Sequence, residues 1–245
     1  MIRLHSASPA TALLQDRIAL ITGASRGIGA AVAKRFAREG AHVIMVARTV
    51  GGLEAVDDEI QAAGGKSTLV PMDIMDHGKI DQLGAELAGR FGKLDILVGN
   101  AAILGDLTPL AHADSAMWDK VISTNVTANW RLIRSFDPLL RASDAGRALF
   151  VTSGVTARAT PSPYWGPYAV SKAALEILVK TYASECTGTA IKVNLIDPGI
   201  VRTAMRANAM PGEDPEQLPA PDSITDIFVK LASVDCKKHG TVVHV

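Results

Sequence analysis

The sequence predicts an open, doubly wound α/β fold, with a parallel sheet carrying helices on both faces in three layers. Three observations point there. Short apolar runs rich in Val and Ile recur seven times along the chain, bounded by Gly, Asp or Asn. Longer amphipathic segments alternate with them, and a glycine-rich turn joins the first run to the first helical segment. Continuous apolar runs suit parallel strands buried on both faces, and regular β–α alternation builds such a sheet.

The elements follow in order. Met1 to about Leu14 reads as a loose arm; it lacks the continuous apolar stretch of a signal peptide. Residues 15–245 read as a single domain. Strands are expected at Ile18–Ile21, His42–Val46, Ser67–Val70, Leu94–Val98, Ala148–Val151, Ile191–Ile196 and Thr241–Val245. Helical patterns occupy roughly 27–39, 51–63, 76–91, 114–142 and 165–186. The stretch 203–223 holds four of the chain's 12 prolines. Proline blocks a long continuous helix, so an excursion over the surface is expected there.

Chemistry-bearing residues gather at strand ends. The first strand runs into Thr22-Gly23-Ala24-Ser25-Arg26-Gly27-Ile28-Gly29. Glycines let the backbone turn tightly and approach a ligand, and the following helix N-terminus offers N–H groups to a pyrophosphate. The spacing differs from both the usual G-x-G-x-x-G fingerprint and the P-loop. The second strand ends in Ala47-Arg48-Thr49, with no acid at the strand end. An acid there would select NAD, whereas an Arg suits the 2′-phosphate of NADP, and Arg26 adds a second cation. Asp73, followed by Ile74, is placed either to bind an adenine amino group or to cap the next turn. The fourth strand runs into Gly99-Asn100-Ala101-Ala102, small residues that leave room in the crevice. Asn125 sits amid apolar positions, and Ser153 ends the fifth strand.

Tyr168 and Lys172 stand four residues apart and share a helix face. A free Tyr has a pKa near ~10, and a neighbouring cation favours the phenolate. Bringing it to about 7 needs roughly 4 kcal/mol, which a Lys and an oxidised nicotinamide together would supply.

Composition removes several classes. Hydrophobic residues make up 48% and charged residues 20%, a globular balance. Lys+Arg and Asp+Glu are both 25, so no basic surplus marks nucleic acid as partner. Cys186 and Cys236 are far apart and read as reduced thiols of a cytoplasmic protein. The six His (His5, His42, His77, His112, His239, His244) have no metal-type spacing, so no metal is expected. No apolar run is long enough to span a membrane.

Together these residues resemble the short-chain dehydrogenase/reductase family, over about Leu14 to Val245. Gly23, Gly27 and Gly29 fit its TGxxxGxG turn, with Ser25, Arg26 and Ile28 inside it. Asp73 fits its adenine-contacting Asp, and Asn100, Ala101 and Ala102 fall where it has NNAG. Asn125, Ser153, Tyr168 and Lys172 match its catalytic Asn, Ser, Tyr and Lys. Pro198-Gly199, with Val201 and Thr203, matches its nicotinamide- and phosphate-contacting segment. The chain departs from the family at GNAA, at a Ser153-to-Tyr168 gap two residues longer, and at a GTVVHV end without the DGG tail.

The resemblance implies a Rossmann-type fold and reversible hydride transfer between NAD(P)(H) and a small alcohol or carbonyl compound, with NADP(H) preferred. Tyr168 would be the acid/base and Lys172 would hold the nicotinamide ribose. Ser153 would position the substrate oxygen, and Asn125 would hold a relay water. Val155, Tyr164, Trp165, Met205 and Met210 are the candidate substrate residues. A homodimer or homotetramer is implied. A 3-oxoacyl-thioester reductase, docking an acidic carrier through Arg158, Arg202 or Arg206, is one alternative. A catalytically idle dinucleotide sensor is another.

Overall fold

The computed structural model describes residues 12–245. Most of the expected N-terminal arm lies outside them. Leu14 does not belong to that arm: it is fully buried and its N–H bonds Glu39 O. Apolar contact outweighs its position near the terminus.

Seven strands form one parallel sheet: β1 (Ile18–Thr22), β2 (His42–Ala47), β3 (Lys66–Pro71), β4 (Ile96–Gly99), β5 (Arg147–Val151), β6 (Lys192–Asp197) and β7 (Val242–His244). Their order is β3-β2-β1-β4-β5-β6-β7, and each neighbouring pair is parallel. The strand runs match the sequence reading to within two residues. Leu94 and Asp95 precede β4 instead of opening it.

Successive strand residues point to opposite faces, so every central strand divides its side chains between two cores. Ala19, Ile21, Val43 and Met45 pack on one face with Val32, Phe36 and Phe228. Leu20, Ile44 and Val46 pack on the other with Ile80, Phe136, Leu175 and Val179. Helices α1 (Gly27–Arg38), α2 (Val50–Ala62) and α8 (Thr225–Ala232) contribute to the first layer. Helices α3 (His77–Phe91), α5 (Ala128–Arg141) and α6 (Gly166–Glu185) form the second. Each fully buried Leu, Ile or Phe contributes about 1.5–3 kcal/mol, which fixes strand register through both faces.

Two helical readings change. The segment 114–142 is not one regular helix: α4 (Ser115–Ile122) and α5 are joined through a π-helical turn at Ser123–Thr127. The sequence reading also omitted α8, an eight-residue helix following the proline-rich stretch. Within 203–223 the prolines limit helix to α7 (Ala204–Ala209) and two 3₁₀ turns. Among the described residues no helix is long and apolar enough to cross a membrane.

Candidate active site

The strand order reverses between β1 and β4, so their following loops diverge and open a crevice at the carboxyl edge of the sheet. Gly23 has φ +68° and Gly27 φ +57°, left-handed values that side chains strain to adopt. A Cβ on Gly29 would lie 2.3 Å from Gly23 O, so α1 starts hard against the turn. Arg26, at the N-cap of α1, makes no side-chain cap bond. The first-turn N–H groups are thus left for an anion.

Thr22 staples the two sides of the crevice. Its Oγ1 accepts from Asn100 N (3.0 Å) and Ala101 N (3.1 Å) and donates to Val98 O. Asn100 Nδ2 donates back to Thr22 O at 2.9 Å. Gly99 follows from its surroundings: a Cβ there would lie 2.4 Å from the Phe150 ring and 2.5 Å from Asn129 Oδ1. Asn129, buried on α5, fills the space that a longer residue at 99 would need, and donates to Asn125 O at 2.8 Å.

Arg48 is exposed at the end of β2, with Nη1 3.8 Å from Asp73 Oδ2. The other Asp73 oxygen accepts from Met75 N at 2.9 Å, so Asp73 closes its own turn while keeping one oxygen toward the crevice edge. Ile74 beside it is buried. Ser25 and the exposed Arg26 border a groove of about 310 Å³ between α1 and α2, which Lys34 also lines. Near β6, Gly199 (φ +66°) donates to Asp197 Oδ1, Val201 is buried, and Thr203 caps α7 by accepting from Arg206 N. Thr203 also faces the glycine turn, its Cγ2 3.5 Å from a Cβ built on Gly27. This brings the Pro198–Thr203 segment across to the first crossover.

Tyr168 and Lys172 are buried on α6. Lys172 Nζ donates to Val151 O at 2.7 Å and lies 5.7 Å from the Tyr168 ring centroid. Burial lowers the Lys172 pKa to about 8. The Tyr168 phenol moves the other way from the sequence expectation. Burial raises its pKa, the Ser153 hydroxyl opposes that rise, and the Asp197 carboxylate adds to it. Desolvation is the largest of these, so the fold favours the protonated phenol.

Asn125 lies in the π-helical turn, a feature frequent at functional sites. Its Oδ1 accepts from Ile103 N, and its Nδ2 donates to Ile103 O and Ser171 Oγ, each at 2.9 Å. Ser171 Oγ donates in turn to Tyr168 O at 2.7 Å. The side chain thus braces the β4 loop against α6, and both its amide hydrogens are committed.

The substrate candidates divide. Trp165 meets the Tyr168 ring edge-on at 6.0 Å, and Val155 N donates to Ser153 Oγ. Tyr164 is exposed at φ +71°, an unusual conformation for a bulky residue, and its carbonyl accepts from Thr108 N. Met205 is half-buried on α7. Met210 instead lines a small hollow with Arg206, Glu213 and Leu218, a hollow that none of Asn125, Ser153, Tyr168 or Lys172 borders.

Thr22, Asn129 and Ser171 were missed as site residues. Thr22 and Ser171 adjoin or fall inside motifs that were read, and buried hydroxyls need partners, which was the available signal. Asn129 had none. The cradle of left-handed glycines, the uncapped α1 and the buried cation fit a dinucleotide.

Comparison with known proteins agrees with this geometry. The family model described as short chain dehydrogenase matches residues 17–214. The oxidoreductase YciK of Escherichia coli K12 is 36% identical over 94% of this chain and 91% of its own. An NAD-dependent oxidoreductase of Mycobacterium tuberculosis is 34% identical over 89% of this chain and 90% of its own. A solved short chain dehydrogenase from Escherichia coli CFT073, complexed with NADPH, superposes with a TM-score of 0.90. It is 36% identical and covers 96% of this chain and 99% of its own.

Proposed function

The chain belongs to the short-chain dehydrogenase family, and from that premise we propose that it is an NADP(H)-preferring oxidoreductase of a small alcohol or carbonyl substrate. As a member it is an oxidoreductase of CH–OH and C=O groups that uses NAD(P). The observation that carries the finer reading is that Tyr168 and Lys172 are both buried on one helix face, one turn apart, with Ser153 at the adjoining end of β5.

A bound nicotinamide supplies the hydride donor or acceptor at its C4. In the reductive direction Tyr168 donates the phenolic proton to the substrate oxygen as negative charge develops there; in the oxidative direction it takes that proton back. Ser153 donates a hydrogen bond to the same oxygen and fixes its place. Lys172 has donors beyond its bond to Val151 O, and we assign them to the nicotinamide ribose. Asn125 braces α6 through Ser171, so its role is to hold Tyr168 in place; its amide hydrogens are not available to a relay water.

Arg48 and Arg26, both exposed at the adenosine end, favour NADP, as does the NADPH-bound structural relative. Arg48→Ala should weaken NADP binding about 10-fold, and NAD binding far less, by fluorescence titration. Equal loss for both would refute the preference.

Three arginines bear on the carrier-docking alternative. Arg202 pairs with Glu216 at 2.7 Å, Arg206 with Glu213 at 2.6 Å, and Arg158 bonds Ser162. Arg202 and Arg206 are charge-paired within their own segment, which favours an uncharged carbonyl compound over an anionic thioester carrier, whereas Arg158 meets only a neutral hydroxyl. A homo-oligomer is proposed from Trp130 on α5 and Val170 and Ile177 on α6, all exposed. Unpaired Cys186 and Cys236 suit a cytoplasmic setting. Tyr168→Phe tests the whole reading: turnover across a carbonyl panel should fall roughly 10³-fold while NADPH affinity is retained. An unchanged rate would refute it, whereas a parent protein that binds NADPH but turns over no carbonyl compound would favour a nucleotide sensor.

A further inference from the structure

We propose that Tyr164 is a positioning residue that acts through its backbone. Its left-handed conformation latches the segment after β4 onto the start of α6, and so sets the opening through which a carbonyl compound reaches Tyr168. This rests on Tyr168 as the acid/base proposed above.

Two segments flank the phenol. One runs from Ser153, just past the end of β5, to Trp165, the residue before α6. The other leaves β4 at Asn100 and passes Ile103, which Asn125 grips at both N–H and carbonyl, on its way to a 3₁₀ turn at Leu110–His112. They meet where Thr108 N donates to Tyr164 O at 3.1 Å. Beside that bond, a Cβ built on Gly166, the first residue of α6, would lie 2.6 Å from Leu110 Cδ1. Leu110 therefore lies over the start of the helix that carries Tyr168 and Lys172.

The meeting depends on an unusual backbone. Tyr164 has φ +71°, a left-handed value that a bulky side chain strains to adopt. Among the described residues the other non-glycine position of this kind is Asp16, whose short polar side chain tolerates it. The Tyr164 side chain does little to offset the strain, since the residue is 57% exposed. What the conformation achieves lies in the main chain. It turns the Tyr164 carbonyl to Thr108 and leads the chain into α6, where the Trp165 ring meets the Tyr168 ring edge-on. Strained backbone persists where the surroundings over-determine it, and such positions cluster at active sites.

A role carried by the backbone should follow tolerance of the left-handed region and ignore side-chain chemistry. Glycine and asparagine adopt that region readily, whereas valine scarcely does. Opening the latch would free the segment after β4 from α6 without touching the glycine turn. Access of the carbonyl compound would change, and cofactor binding would not.

Amide hydrogen exchange of the full-length, cofactor-free protein reads the latch without turnover. Exchange at Thr108 should be about 10-fold faster in Tyr164→Val, and no faster than in the parent in Tyr164→Gly and Tyr164→Asn. Amides of β1 should keep their protection in every variant, which separates the latch from general loosening. In NADPH-dependent carbonyl reduction, kcat/KM should fall about 10-fold in Tyr164→Val, mainly through KM, and stay within about threefold of the parent in Tyr164→Gly and Tyr164→Asn. NADPH affinity by fluorescence titration should be the same throughout.

Unchanged exchange at Thr108 in Tyr164→Val would overturn the latch. Faster exchange there with kcat/KM unmoved would overturn the positioning role. A kcat/KM that falls in Tyr164→Gly and Tyr164→Asn but holds in Tyr164→Phe would give the role to the ring, and would also overturn the proposal. Should every carbonyl compound prove inert, the functional reading fails while exchange at Thr108 still decides the latch.

Discussion

At the amino edge of the sheet Arg17, Asp95 and Arg147 are buried, and at the carboxyl edge Lys172 is buried as deeply. Their hydrogen bonding differs. Arg17 donates to Ala232 O, Asp95 O and Ala145 O. Arg147 donates to Ser233 O, Gly146 O and Val234 O. Asp95 accepts from Ile18 N, Ser143 Oγ and Lys93 Nζ. Burial alone would raise the Asp95 pKa, but those bonds outweigh it and hold the carboxyl below its ordinary range. Lys172 makes one bond, to Val151 O. A buried charge held by several hydrogen bonds holds the fold together. One with donors to spare is costly to the fold and available to a ligand.

The comparison breaks first at Asp95. Asp95→Ala should cost about 3–5 kcal/mol in urea unfolding at neutral pH, because Arg17 and Lys93 lose their counter-charge. The folded fraction should keep its turnover. A carboxyl whose pKa is lowered by folding contributes fully above the unfolded value and loses that contribution as pH falls through the folded one. The gap between variant and parent should therefore narrow in acid. A gap that does not narrow there, or a small loss at neutral pH, would show that the amino edge does not depend on its charges.

The next test lies between the two edges. Gly99→Asn restores the family's residue but drives a Cβ into Phe150 and Asn129, and should cost about 2 kcal/mol. Asn129→Ala in the same chain should recover part of that loss. No recovery would mean that the two asparagines do not compete for one space.

The last effect runs in the opposite sense. Lys172→Met should raise the unfolding free energy of the cofactor-free protein by about 1–3 kcal/mol while abolishing turnover. The folded Lys172 pKa, about 8, lies below its ordinary 10.5. The unfolded chain therefore holds this proton more tightly, and the cost of burying Lys172 is full below about 8 and relieved as pH rises toward 10.5. The gain should shrink over that interval. A destabilised variant would place Lys172 with the amino-edge charges.

The same contrast explains what could be read from the sequence. Strands were legible because runs such as Ile18–Ile21 and His42–Val46 are buried on both faces and carry no polar interruption. The glycine turn, Ser153, Tyr168 and Lys172 were legible because each sits at a fixed distance from such a run. Helix α8 was hidden by its eight-residue length and the prolines before it. Asn129 was hidden because its partners, Gly99, Asn125 and Phe150, come from three elements distant in sequence. The contact between Asp197 and His244 was hidden because only the pairing of β6 with β7 brings them together. The depth at which Tyr168 is buried was hidden because spacing reveals a neighbouring cation but not desolvation.

The π-helical turn at Ser123–Thr127 bears on how this protein tolerates change. A widened turn holds one residue more than a regular one. Substitutions around it alter side chains and leave the count intact. Deleting a single residue there would let α4 and α5 close into an ordinary helix. The chain would remain helical and keep much of its apolar packing, yet Asn125 would swing off Ile103 and Ser171. At this point chain length itself carries information: a gap that looks harmless in an alignment would disarm the site, while many substitutions beside it would not.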